Sequence, residues 1–175
     1  MRARPAWIVW SAAGMAEDRD IIIERPNRAK ASSKLTRSVV VLLLLVSIGL
    51  MLIVTLGGWS VLEGAKILQV AYIALYLLFA FYVLRWNRGV LPVTAALAIV
   101  LLIFAAVAGP AWFDRDKTGF TNPAIGADTL GLVTLLLVPV QALLIAFAMQ
   151  GFLQAWNVEV ERRPDGSTRA VGQMA

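Results

Sequence analysis

Apolar residues gather in this chain into four separate blocks, each about as long as a bilayer is thick, and that pattern restricts the fold more than any other. Residues 38–57 (SVVVLLLLVSIGLMLIVTLG) carry no charge. As a helix rising about 1.5 Å per residue they reach about 30 Å, the depth of the hydrocarbon core. Residues 65–84, 91–109 and 129–153 repeat the pattern, and Lys66 is the only charged residue among them. The fourth block is longer than a crossing needs and has room to tilt or to extend past the membrane. Many of these residues are β-branched, which in water favours strands. In hydrocarbon a lone segment must satisfy its own backbone hydrogen bonds, and at this length only a helix does so. The sequence therefore predicts an all-α integral membrane protein with four transmembrane helices in an up-down antiparallel bundle.

The connectors agree. Residues 85–90 form a short basic turn containing Trp86-Asn87-Arg88-Gly89, which makes helices two and three antiparallel neighbours. Pro92 falls in the first turn of helix three, where its missing N–H costs little. Gly109-Pro110 is read as the end of that helix, and Asp128 or Thr129 as the N-cap of helix four. The resulting organisation is a tail over 1–37, spans over 38–57, 65–84, 91–109 and 129–153, connectors over 58–64, 85–90 and 110–128, and a tail over 154–175.

Charge sets the expected orientation. If the N-terminus is inside, segments 1–37, 85–90 and 154–175 hold 13 of the 16 Lys and Arg, leaving only Lys66, Arg115 and Lys117 outside. This is the positive-inside pattern, and it places both termini in the cytoplasm of a cell whose multi-pass inner (cell) membrane holds the chain. Trp59, Trp86, Trp112 and Trp156 each follow the end of one block, where indole favours the interface. The first residues, MRARPAWIVWSAAGMA, have the outline of a short signal peptide, but cleavage there would put Arg25–Arg37 outside, against the charge rule. Two other readings are a start at Met15, with 1–14 an artefact, and a segment that dips into the interface.

Composition removes whole classes of chemistry. The chain has no cysteine and no histidine, so thiol catalysis, Cys/His zinc sites, iron–sulfur clusters, His- or Cys-held haem and histidine-based triads are all excluded. No cofactor is expected. The net charge of +5 flanks apolar blocks, which points to an anionic inner leaflet and away from nucleic acid. Arg25, Arg28, Lys30, Lys34 and Arg37 are the residues expected to meet anionic lipid. They follow Ile21-Ile22-Ile23, a segment suited to a short strand or to docking a partner.

The sharpest local motif lies in the connector over 110–128. Asp114, Asp116 and Thr118, with Gly119 following, repeat the first half of an EF-hand calcium loop. The second half is missing, because Ile125 stands where a bidentate glutamate is needed and Arg115 and Lys117 offset the charge. A polar turn is the plainer reading. The same connector carries Trp112, Phe113 and Phe120, residue types suited to partner contact.

Within the spans the polar groups are uncharged. Lys66, Gln69, Tyr72, Tyr76 and Ala80 share one face of helix two, Glu63 and Lys66 are spaced to pair, and Gln141 and Gln150 lie on opposite faces of helix four. Such groups either line a substrate path or hydrogen-bond between helices, and the second is the more economical reading. A helix polar on both faces suits contact with a partner, which makes Gln141 and Gln150 partner-contact candidates. Helix three carries a stripe of small residues over Ala95, Ala98, Leu102, Ala105, Ala106 and Gly109, and Pro139 should kink helix four.

Three functions fit these features unequally. The first is a non-enzymatic accessory, assembly or scaffold subunit of a larger membrane complex, meeting a membrane-protein partner or further copies of itself. The second is a small oligomeric transporter or channel subunit, which needs a polar face continuous across the helices that helices one and three lack. The third is a metal-assisted hydrolase using Asp114, Asp116 and Asp128, for which no recognised spacing is present.

Overall fold

The computed structural model describes residues 22–62, 64–114, 124–162 and 168–170. They fall into two units: a helical one over residues 31–156, and one formed by the tails that flank it.

The helical unit consists of α1 (Ala31–Gly57), α2 (Ala65–Leu84), α3 (Val90–Phe113) and α4 (Ala127–Leu153). All four are long and apolar enough to cross a membrane, as a multi-pass membrane protein requires. α2 has the bounds expected from hydropathy. α1 begins at Ala31 rather than residue 38, because its polar first turns are held by packing: Ser33 and Thr36 are buried, and Thr36 Oγ1 accepts a hydrogen bond from Gln154 Nε2 at 2.9 Å.

α3 does not stop at Gly109-Pro110 but runs on to Phe113 with Pro110 inside it. A proline removes one donor from the ladder. Here the turn beyond it is retained by Trp112, which is buried in a cluster with Val54, Leu62, Ala127 and Leu130. α4 starts from Gly126 without a side-chain cap. Asp128, expected at the cap, lies in the first turn instead, where the helix dipole favours its charge. α4 then continues unbroken through Pro139.

α3 and α4 share the largest interface, α1 packs on α4 and on α2, and α2 and α3 touch sparingly. The α3–α4 contact depends on Gly109: a Cβ there would stand 2.5 Å from Leu135 Cδ2 and 2.7 Å from its Cγ. Small residues allow this approach between membrane helices. The small-residue stripe is mostly as read, with Ala95, Ala98, Ala105 and Gly109 buried. It passes through Leu101 rather than Leu102, and Ala106 is exposed.

The turn after α2 closes in an unusual way. The Asn87 N–H donates to the Tyr82 carbonyl and the Trp86 N–H to the Val83 carbonyl, the two bonds of a Schellman motif whose left-handed residue is normally glycine. Trp86 occupies it with φ 61°. Ala155, just beyond α4, has φ 49°. Both residues adjoin one aromatic pair, Trp86 edge-on to Trp156 with centroids 5.4 Å apart.

The tail unit departs from the all-α expectation. It contains a three-stranded antiparallel sheet in the order β1 (Ile22–Glu24), β2 (Val160–Arg162), β3 (Thr168–Ala170), with Ile23 opposite Glu161 and a single helical turn over Pro26–Ala29. Ile22 and Ile23 thus take the strand reading of their segment. Glu24 pairs with Arg162 at 3.2 Å, and Arg25 pairs with Glu159. These pairs are solvent-exposed, and such pairs typically contribute about 0–1 kcal/mol each. Strands of three residues carry too little periodicity to be read from sequence.

Candidate functional site

Three places in the helical unit bring polar or aromatic side chains together: a hydrogen-bonded chain at mid-depth, an apolar cleft at the Trp112 end, and an aromatic–arginine cap at the Trp156 end.

The chain at mid-depth joins three helices. Tyr76 Oη on α2 donates to Gln141 Oε1 on α4 at 2.8 Å. Gln141 Nε2 donates to Ser47 Oγ on α1 at 2.8 Å, and Ser47 Oγ donates to the Leu43 carbonyl at 2.7 Å. Every donor meets an acceptor in one direction, so the chain ends on a backbone oxygen that already sits in a helix. Tyr76, Gln141 and Ser47 are all fully buried. In hydrocarbon a buried polar group without a partner is costly, and helix backbones offer a local remedy. Thr55, Thr94 and Thr134 take it, each donating to the carbonyl four residues earlier. Thr55 also meets the side-chain amide of Gln69 on α2. The atom facing Thr55 Oγ1 is Gln69 Oε1, so the one hydroxyl hydrogen is shared between that amide oxygen and the Met51 carbonyl.

The cleft encloses about 290 Å³ and is almost wholly apolar. Its walls are the first turns of α2, with Ala65, Leu68 and Gln69, and the last turns of α3, with Phe104, Ala108 and Trp112. Met51, Val54, Thr134 and Leu137 from α1 and α4 form its floor. It exists because α2 and α3, held together at the tight turn between them, lose contact toward their far ends, and because alanines line the gap. Lys66, next to the lining residue Ala65 in the first turn of α2, holds its Nζ 5.0 Å above the Trp59 ring.

The cap at the other end is built around Trp156, which has no exposed surface. Its indole N–H donates to Gln154 Oε1 at 3.0 Å. Gly151 leaves room for it, since a Cβ there would meet Trp156 Cζ2 and Leu91 Cδ1 at 3.1 Å. Arg37 stacks on Trp86 with Cζ 4.2 Å from the ring centroid and donates to the Leu84 carbonyl at 3.4 Å, a cation at a helix C-terminus. Arg88 lies 4.2 Å over Phe152.

The residues singled out from sequence are spread among these places and beyond them. Gln141 and Trp112 are interior, so neither is presented to a partner as expected; Gln141 has both ends of its amide engaged within the chain. Phe113 is exposed at the end of α3. Gln150 is exposed on a face of α4 that also carries Leu132, Leu136 and Leu143. Asp114 closes α3, its N–H donating to the Trp112 carbonyl. Asp116, Thr118, Phe120 and Glu63 lie outside the described residues. Among the described residues no three metal-ligating side chains cluster.

Of the five basic residues assigned to lipid, Arg25 pairs with Glu159 and Arg28 Nη2 donates to Asn157 Oδ1 at 3.3 Å. Burial, then the neighbouring Arg25, lower the Arg28 pKa from its ordinary value, and Glu159 opposes them. Lys30 and Lys34 are exposed. Of the four tryptophans read as interface markers, only Trp59 is well exposed, while Trp112 and Trp156 plug the ends of the bundle. Sequence reasoning did not anticipate the Trp86–Trp156 pair or the cleft. The placement of Trp86 and Trp156 just past the ends of α2 and α4 is the signal from which the pair could have been found.

No protein-family model, no curated protein and no solved structure matches this chain.

Proposed function

We propose that this chain is a non-enzymatic accessory, assembly or scaffold subunit of a larger complex in the cell (inner) membrane, an up-down four-helix bundle with both termini cytoplasmic. The observation that carries the reading is where the polar groups of α4 go. Gln141 is committed to holding α1, α2 and α4 together, and the buried threonines of the spans bond their own helices or a glutamine of another segment, so these groups serve architecture. Gln150, by contrast, is exposed on an otherwise apolar stripe of α4. An amide on a lipid-facing stripe is costly unless a neighbour meets it or it reaches the interface, and a membrane-protein partner, or another copy, meets it best. The orientation rests on the excess of Lys and Arg at the Trp156 end. Pairing of the N- and C-terminal tails in one sheet supports their being on one side.

Purification of the full chain in mild detergent tests this. A partner at fixed stoichiometry, weakened by Gln150→Leu and retained with Gln69→Leu, is the expected result. A chain that purifies alone and moves an ion in liposomes would favour the transporter or channel reading instead. Labelling of single cysteines, introduced into a chain that has none, fixes the topology: residues 30 and 165 should be inaccessible from outside. Labelling of residue 118 only from the cytoplasmic side would overturn the orientation.

A further inference from the structure

We propose that the cleft between α2 and α3 is a lipid site that holds one acyl chain of a phospholipid, with the phosphate against Lys66. The inference rests on the chain being membrane-embedded and not on the accessory reading.

Size admits a run of methylenes. A methylene is close to a water molecule in volume, roughly 30 Å³, so a cleft of about 290 Å³ takes about ten carbons in a row. The rim decides where the occupant comes from. Leu68, Phe104 and Val107 border the opening, and all are exposed and apolar. An opening with such a border faces hydrocarbon rather than water, and lipid chains are what hydrocarbon supplies.

Charge selects the headgroup. Lys66 follows Ala65, a lining residue, and its ammonium is held over Trp59, a residue type that favours headgroup depth. A cation one residue from the lining, at the end of α2 where the cleft lies, complements a phosphodiester. Gln69 lies about one turn deeper and lines the cleft with an amide that offers more bonding positions than Thr55 fills. It is placed to meet an ester carbonyl. The occupant is thus recognised at three depths: phosphate at Lys66, ester at Gln69, and chain along Ala108 and the floor at Met51 and Leu137.

The test uses the full chain in nanodiscs containing phosphatidylglycerol with a photoreactive group midway along one acyl chain, with adducts mapped by mass spectrometry. Adducts should concentrate on Leu101, Phe104 and Leu137, which line the cleft below Gln69, above the level at Leu153, a lipid-facing residue at the opposite end that is 77% exposed. Ala108→Phe fills the cleft and should bring labelling there down to the Leu153 level while Leu153 labelling persists. Lys66→Gln should lower cleft labelling by the anionic probe about fivefold, the value of one cation near a phosphate, and leave a net-neutral diacylglycerol probe unchanged. Cleft labelling no higher than Leu153 labelling in the wild type overturns the proposal. So does labelling that Ala108→Phe leaves unchanged. If Ala108→Phe does not fold, native mass spectrometry of the delipidated wild type decides: one retained phospholipid per chain supports the site, and none refutes it. Cross-links joining Phe104 of two copies would show that a second chain closes the cleft, which also refutes it.

Discussion

Replacing Gln141 with leucine keeps most of the side-chain volume and removes both of its hydrogen bonds. Two interhelical bonds in a membrane protein average about 0.6 kcal/mol each, or about 1.2 kcal/mol together. The change also leaves the buried Tyr76 hydroxyl without an acceptor, at a cost of about 1–3 kcal/mol where nothing else can reach it. Ser47 suffers less, because its own hydrogen still goes to the Leu43 carbonyl. The better lipid solubility of leucine offsets part of the loss, so the expected destabilisation is about 2 kcal/mol, within the usual range for breaking a buried network. The measurement is reversible unfolding in bicelles or mixed micelles, for wild type, Gln141→Leu, Tyr76→Phe and the pair. Tyr76→Phe removes the orphaned donor, so the double variant should cost less than the sum of the two, with a coupling of about 0.6 kcal/mol or more. Gln150→Leu on the exposed face is the control and should stay within about 0.5 kcal/mol. Strictly additive costs, or a Gln141→Leu chain as stable as wild type, would refute the view that this glutamine ties three helices together.

Other outcomes follow from the same packing. Gly109→Ala drives a methyl into Leu135 and should cost about 1–3 kcal/mol as overpacking, with Leu135→Ala in the same chain recovering part of it by thermal unfolding. Trp156→Ala removes a fully buried indole and should cost about 3–5 kcal/mol, whereas Trp59→Ala, half-exposed, should cost far less in the same assay. Ala155→Gly relaxes a left-handed alanine and should raise stability by about 1 kcal/mol; no change would mean that the positive φ there carries no strain. Cysteines at Ile23 and Glu161, which face each other across β1 and β2, should form a disulfide under mild oxidation, and the offset pair Ile22 and Val160 should not.

The sequence made the spans legible because the bilayer imposes one length and one composition on each. It was less informative wherever packing, rather than solvent, decides. The first turns of α1 are polar and read as tail, yet Ser33 and Thr36 are buried against neighbours that hydropathy does not see. Pro110 read as a stop, because the rule considers one lost hydrogen bond and not the burial of Trp112 beyond it. Gln141 stood out as a mid-membrane amide, but its partners Tyr76 and Ser47 are far away in the chain, and only the fold brings them to it. The short turn after α2 read as making α2 and α3 antiparallel neighbours, and in the fold they touch sparingly. It carried no information on how far they stay together, and the cleft opens where they part. The sheet was hidden for a related reason: Ile22 and Ile23 pair with Arg162 and Glu161, from which all four helices separate them in sequence.

That last separation has a consequence for how the protein is made. β1 emerges from the ribosome before any helix, and β2 after all of them. Throughout synthesis, Ile22 and Ile23 therefore wait as an unpaired strand with apolar side chains, the kind of edge that attracts other chains. The sheet closes only once the final helix is in place, and its register requires the two tails to meet. A chain stalled or cut before residue 160 would therefore leave β1 without the strand it pairs with.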